Sequence, residues 1–162
     1  MKTYRVIIHS AATPEDRDYT EDQLHKDHMA RGMKQYAGYH FYIRKDGRAV
    51  RKRPMNIMGA HARPWNKNSW GICYEGGLEA GQTHWRFAKD TRTKAQKASL
   101  LDCIYETMKY IESIAIGEVN KDWKIEIIGH GQLPNTSTAC PSFDAKSEYE
   151  WITAGKKQDG EN

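Results

Sequence analysis

The chain lacks the features that mark several protein classes. It has three cysteines in 162 residues, an odd count that does not suit the disulfide framework of a small secreted domain. Cys73 and Cys103, in strand-like and helix-like contexts, read as buried small hydrophobes. No apolar run approaches the roughly 18 residues of a membrane-spanning helix. The opening Met-Lys-Thr-Tyr-Arg-Val-Ile-Ile-His has no apolar stretch of signal-peptide length, so synthesis in the cytoplasm is expected. No block of like charge is longer than Arg51-Lys52-Arg53, and the net charge is only +4. That bias is too mild for a nucleic-acid tail, though it suits an anionic polymer, and no nucleic-acid partner is expected. There is no internal repeat, no low-complexity linker and no sign of a second domain.

What is present is an ordinary globular composition. Hydrophobic residues make up 38% of the chain before its 13 glycines are counted, and 162 residues suit one domain with a real core. The β-branched run Tyr4 to Ile8 predicts a central strand. Thr20-Glu-Asp-Gln23 has the form of a capping box and predicts a helix running to about Arg31. Gly38 to Arg44 predicts a second strand, followed by an Asp46-Gly47 hairpin turn and a third strand to about Arg53. Asn68 to Tyr74 predicts another strand. Thr93-Lys-Ala-Gln96 repeats the capping box and opens a long amphipathic helix to about Ile116. Its expected buried side is Leu100, Leu101, Ile104, Met108, Ile111 and Ile114. Trp123 to Ile128 is the next strand, and Phe143 to Ile152 a short last helix. Strands interleaved with helices, one pair antiparallel, predict an α/β domain with a mixed central sheet flanked by helices. The domain is expected over residues 1–154, with 155–162 a disordered polar tail.

Three residues suggest chemistry. His9 closes the first apolar run, His130 follows Lys124-Ile-Glu-Ile-Ile-Gly129, and Cys140 lies in the polar loop beyond. Two histidines at strand ends and one loop cysteine can meet as three ligands of one zinc ion. Three protein ligands leave one tetrahedral position open, as catalytic rather than structural zinc requires. Taken singly, His9 also reads as a satisfied core histidine and Cys140 as a buried thiol. His61, Trp65, Asn66 and Asn68 share a glycine- and asparagine-rich loop and are candidate substrate-binding residues of a groove wall. The alternative is turn chemistry, since asparagine bonds its own backbone. His25 and His28, three apart on a helix, read as surface histidines. His40 alternates with Tyr39 and should face the other way.

Four segments, in order, resemble the zinc-dependent N-acetylmuramoyl-L-alanine amidases of the phage lysozyme and peptidoglycan recognition protein superfamily. They are Ile7-Ile-His9-Ser-Ala-Ala-Thr13; Gly38-Tyr39-His-Phe41 with its Asp46-Gly47 turn; Gly59-Ala-His61 through Asn68-Ser-Trp-Gly71-Ile; and His130 through Thr138-Ala-Cys140-Pro-Ser-Phe-Asp144. The resemblance spans roughly residues 4 to 152. It implies a mixed sheet with helices on both sides and a groove over one edge. It also implies hydrolysis of the amide between N-acetylmuramic acid and L-alanine in peptidoglycan. His9, His130 and Cys140 fall on the metal ligands, one Zn2+ per chain, and Tyr39 falls on the active-site tyrosine. Thr138 falls where many members carry a catalytic lysine. Catalytic recognition proteins are similar to this chain in having threonine there.

The resulting expectation is a monomeric phage or prophage endolysin, stored in the cytoplasm and acting on the cell wall after release at lysis. A cytoplasmic wall-recycling amidase is one alternative. A recognition module that binds wall fragments without cutting is another, although such members typically lose the cysteine ligand. A third makes Cys140 a nucleophile with His130 as its base.

Overall fold

The computed structural model describes residues 1–118 and 122–154, so the tail expected at 155–162 lies outside the described residues. Its elements run β1 (Lys2–Ser10), β2 (Thr13–Pro14), α1 (Glu21–Ala30), β3 (Phe41–Ile43), β4 (Ala49–Arg51), β5 (Ser69–Tyr74), β6 (Gly77–Leu78), α2 (Lys94–Ala115), β7 (Trp123–Gly129) and α3 (Ala145–Ala154). Short 3-10 turns occupy Trp85–Phe87 and His130–Gln132. The main sheet has the order β4-β3-β5-β1-β7. β1 pairs in parallel with both β5 and β7, β3 is parallel to β5, and only β3–β4 is antiparallel. This is the mixed α/β sheet that the interleaved pattern predicts.

Strand alternation sorts the core. Tyr4, Val6 and Ile8 of β1, Phe41 and Ile43 of β3, and Trp70, Ile72 and Tyr74 of β5 face one side. There they pack on Leu100, Ile104, Met108 and Ile111 of α2 and on Tyr149 and Ile152 of α3. The opposite side carries two smaller clusters. Tyr42 and Cys73 pack with Leu24 of α1, while Ile7 and Ile128 pack with Ala62, Leu133 and Trp65. Both long-helix capping boxes form, with Thr20 and Thr93 each accepting from the backbone N–H three residues on. Buried Arg92 ties α2's entry to α3. Its guanidinium bonds Asp90 and Glu148 and lies 3.3 Å over the Phe143 ring.

Several expectations are corrected. Ile114 is 42% exposed, because the α2 stripe turns to Ala115 at its last turn, and Leu101 is only partly buried at the edge of the core. The second strand starts at Phe41 and the last helix at Ala145, each later than the apolar pattern suggested. The β2–β6 pair, two residues each, was not expected. His28 is buried, not on the surface, because it lies one helical turn from Leu24 on the inward face of α1.

His28 and His40 are built in as neutral bases. Gly38 N–H donates to His28 Nδ1 at 2.8 Å, and Gly71 N–H donates to His40 Nδ1 at 3.2 Å. Burial pushes both imidazoles down to about 4. In the unfolded chain each titrates near 6.5. Above about pH 6.5 both states are neutral; below it the unfolded chain takes protons that the fold refuses. Stability should therefore be full above pH 6.5 and fall as pH drops toward 4, by on the order of 3 kcal/mol per histidine. Urea denaturation at a series of pH values reads this slope, and a flat profile between those limits would contradict it.

Candidate metal centre and active site

The site lies where β1 and β7 end, at the carboxyl edge of two parallel strands, a common ligand position in open α/β sheets. Ile8 is in register with Gly129, so His9 and His130 are the next residues in line. Their ring centroids are 4.7 Å apart. His9 shares the parity of Ile7 and so points away from the α2 core. Cys140 arrives from the loop after β7 and puts its Sγ 3.7 Å from His9 Nδ1. One donor atom from each of His9, His130 and Cys140 lies within 4.8 Å of the others. Two imidazoles and a thiol are the donor set that zinc prefers, and three protein ligands leave a coordination position free.

The Cys140 loop is pinned from several directions. Gly131 N–H donates to the Cys140 carbonyl at 2.7 Å. A side chain at Gly131 would meet the Thr138 carbonyl oxygen at 2.3 Å, so glycine is what allows the loop this close. Tyr74 Oη donates to the Pro141 carbonyl at 2.6 Å, and Ser142 Oγ donates to Gly77 O at 3.3 Å. Ser10 N–H donates to Cys140 Sγ at 3.2 Å, a contact that favours the thiolate.

Burial sets the protonation states. It holds His9 well below the ordinary imidazole range, with the neighbouring His61 and His130 adding to the effect, and it lowers His130 as well. Both rings therefore offer lone pairs. Burial pushes the Cys140 thiol up to about 11 against the pull of the Ser10 hydrogen bonds. A metal must displace that proton. Burial also raises Tyr39 well above its usual value, with the neighbouring Cys73 and Cys140 adding to the effect. Its phenol stays protonated and remains a donor.

The structure brings most of the expected residues together. The Tyr39 ring lies 4.9 Å from His9 and 5.3 Å from His28. Thr138 is exposed, and its Oγ1 accepts from Cys140 N–H at 3.2 Å, which leaves its own proton to donate. His61 places Nδ1 at 2.8 Å from His9 Nε2, the nitrogen that does not face Cys140.

The loop asparagines take part in the local turn geometry. Asn66 Oδ1 accepts from both His61 N–H and Ala62 N–H at 2.9 Å. Asn68 takes the left-handed conformation, φ 56°, as the chain enters β5. Trp65 packs with Ile7, Ala62, Ile128 and Leu133, under the Arg5 guanidinium. Asn66 and Asn68 border a cavity shared with Met55, Met58 and Tyr110, none of which is a metal-ligand candidate.

One residue of interest escaped the sequence reading. Trp85 is 72% exposed and, with Thr136 to Ala139, lines a cavity of about 540 Å³ that includes Thr138. The His84 ring lies 5.2 Å from it, tilted by 34°, and His84 Nδ1 accepts from Arg86 N–H.

A family model described as N-acetylmuramoyl-L-alanine amidase matches residues 1–143. The endolysin of Klebsiella phage KP32 is 28% identical over 151 residues, covering 92% of this chain and 87% of its own. Peptidoglycan-recognition protein SC2 of Drosophila melanogaster is 49% identical over 111 residues, covering 68% of this chain and 50% of its own. Among solved structures, the N-acetylmuramoyl-L-alanine amidase LysC from Clostridium intestinale matches with a TM-score of 0.64 and 25% identity. That match covers 96% of this chain and 87% of LysC.

The geometry predicts one divalent ion per chain. Cys140→Ala or His130→Ala should abolish its retention after dialysis, measured by mass spectrometry, while Cys103→Ala, in the α2 core, should leave it intact. Equal metal content in all three variants would sink the assignment.

Proposed function

Because the chain belongs to the N-acetylmuramoyl-L-alanine amidase family, we propose that it works with one zinc ion held by His9, His130 and Cys140, with Tyr39 and Thr138 as its oxyanion donors. The enzyme is a peptidoglycan amidase, hydrolysing the bond between N-acetylmuramic acid and L-alanine. The observation that carries the metal reading is the convergence of three unlike donors from β1, the end of β7 and the following loop. Similarity to phage endolysins over most of the chain supports an endolysin that meets the wall after lysis. All three ligands come from one chain, which supports a working monomer.

When bound, zinc supplies Lewis-acid polarisation of the scissile carbonyl and lowers the pKa of water toward about 7. The side chains supply the rest. Tyr39, kept protonated by burial, can donate to the oxyanion as the carbonyl becomes tetrahedral. Thr138, exposed beside Cys140, can donate from the mouth of the site. Removing one such donor typically costs about 100- to 1000-fold in rate. A neutral hydroxyl stabilises an oxyanion less than an ammonium does. Trp85, beside His84, offers an exposed apolar face on which a sugar ring can rest, with Thr136 to Ala139 also lining the cavity.

Purified peptidoglycan should release peptides with a free N-terminal alanine, and a chelator should stop the release until zinc is restored. Bound zinc without cleavage would point to a recognition module, and cleavage without metal to Cys140 as nucleophile. Thr138→Lys should raise the rate or move its pH profile; an unchanged enzyme would remove Thr138 from the chemistry. Trp85→Ala should raise KM several-fold with little change in kcat, and an unchanged KM would remove it from the groove.

A further inference from the structure

His61 stands at the centre of a hydrogen-bond chain whose direction is fixed from its far end. Ser69 is 3% exposed, and its Oγ lies 2.6 Å from the Trp65 carbonyl and 3.0 Å from the Asn66 carbonyl. A hydroxyl has one proton, and here two carbonyls compete for it. Its remaining capacity is to accept, and the next nitrogen along, His61 Nε2, lies 3.4 Å away. The proton of neutral His61 therefore sits on Nε2, which leaves Nδ1 as the acceptor. That Nδ1 meets His9 Nε2 at 2.8 Å. His9 must then carry its proton on Nε2 and present a bare Nδ1, the nitrogen facing Cys140 Sγ at 3.7 Å. The reverse arrangement would either set bare Nε2 against the Ser69 oxygen lone pairs or make Ser69 donate to His61 and abandon both carbonyls.

The His61 ring has little room to choose another position. A Cβ at Gly59 would come within 2.4 Å of its Cδ2, and a Cβ at Gly71 within 2.7 Å of its Cγ. Asn66 holds the His61 backbone in place at the same time. The two glycines therefore form a slot that fixes the ring plane, and the T-shaped 87° contact with His9 follows from it.

We propose that His61 is a positioning residue: the chain Trp65 carbonyl, Ser69, His61, His9 locks His9 in the tautomer that offers Nδ1 to the metal. This replaces the groove-wall role expected for His61 and rests on the metal reading of His9, His130 and Cys140. Partners of this kind typically contribute 10- to 100-fold (roughly) to metal affinity when they orient a ligating histidine.

The test is zinc affinity of the full chain by chelator competition, together with imidazole nitrogen NMR of the metal-free protein. His61→Phe fills the slot without an acceptor and should weaken zinc binding about 10- to 100-fold. His61→Asn returns an oxygen near the place of Nδ1 and should recover most of that loss. Thermal melting checks that both variants fold. In the metal-free parent, His9 should be the Nε2–H tautomer, and His61→Phe should mix the two forms. Parent-like affinity in His61→Phe, no recovery in His61→Asn, or an Nδ1–H tautomer in the parent would each overturn the inference. If the parent itself fails to bind zinc, the metal reading falls instead, and the tautomer measurement still decides the relay.

Discussion

The parallel pairing of β1 with β7 is the constraint on which the site depends. Its register sets Ile8 beside Gly129, and the next residue on each strand is a histidine. A shift by one residue would turn His9 into the α2 core and bring a core side chain out. The apolar alternation of β1 therefore serves two ends. Tyr4, Val6 and Ile8 hold the strand against α2 and α3, and that hold keeps His9 aimed at His130. The third ligand candidate depends on the same pair, because the Cys140 loop is fastened to Gly131, immediately after His130.

Much of this was legible in the sequence, for identifiable reasons. Strands β1, β5 and β7 are dense in β-branched and apolar residues, and both long helices begin with a threonine-glutamine box that forms as written. The three ligand candidates stood out because histidines and a cysteine are unusual at the borders of such runs, and the ordered motifs pointed to one site. Tertiary pairing left no such signal. The β2–β6 pair is two residues long on each side and exists because Thr13 and Gly77 are brought together by larger elements. Trp85 lies in a polar stretch without period, so nothing marked it as one wall of a cavity. The burial of His28 was readable in principle from its i, i+4 spacing with Leu24, but a helix with so few apolar residues gives little direction.

His61 shows the limit most clearly. Its presence in the Gly59-Ala-His61 segment was noticed, yet its orientation depends on Gly71, ten residues later and on another element. The ring enters the space that two missing side chains leave. Here the informative residues are the small ones, and their meaning appears only when the backbone brings them face to face. Asn66 is similar: an asparagine in a loop suggests either a ligand contact or a turn, and only the fold shows the two N–H groups that its oxygen accepts from.

The order of strands in the sheet has a consequence for synthesis. β1 is made before both of its neighbours, yet it is a middle strand, and its β7 edge has no partner until residues 123–129 follow. His9 and Cys140 are 131 positions apart. A nascent chain can begin to gather the α2 core before residue 140 is made, and only after residue 140 can His9, His130 and Cys140 meet. Long-range closure of this kind is slow, and it places assembly of the site among the last events of folding.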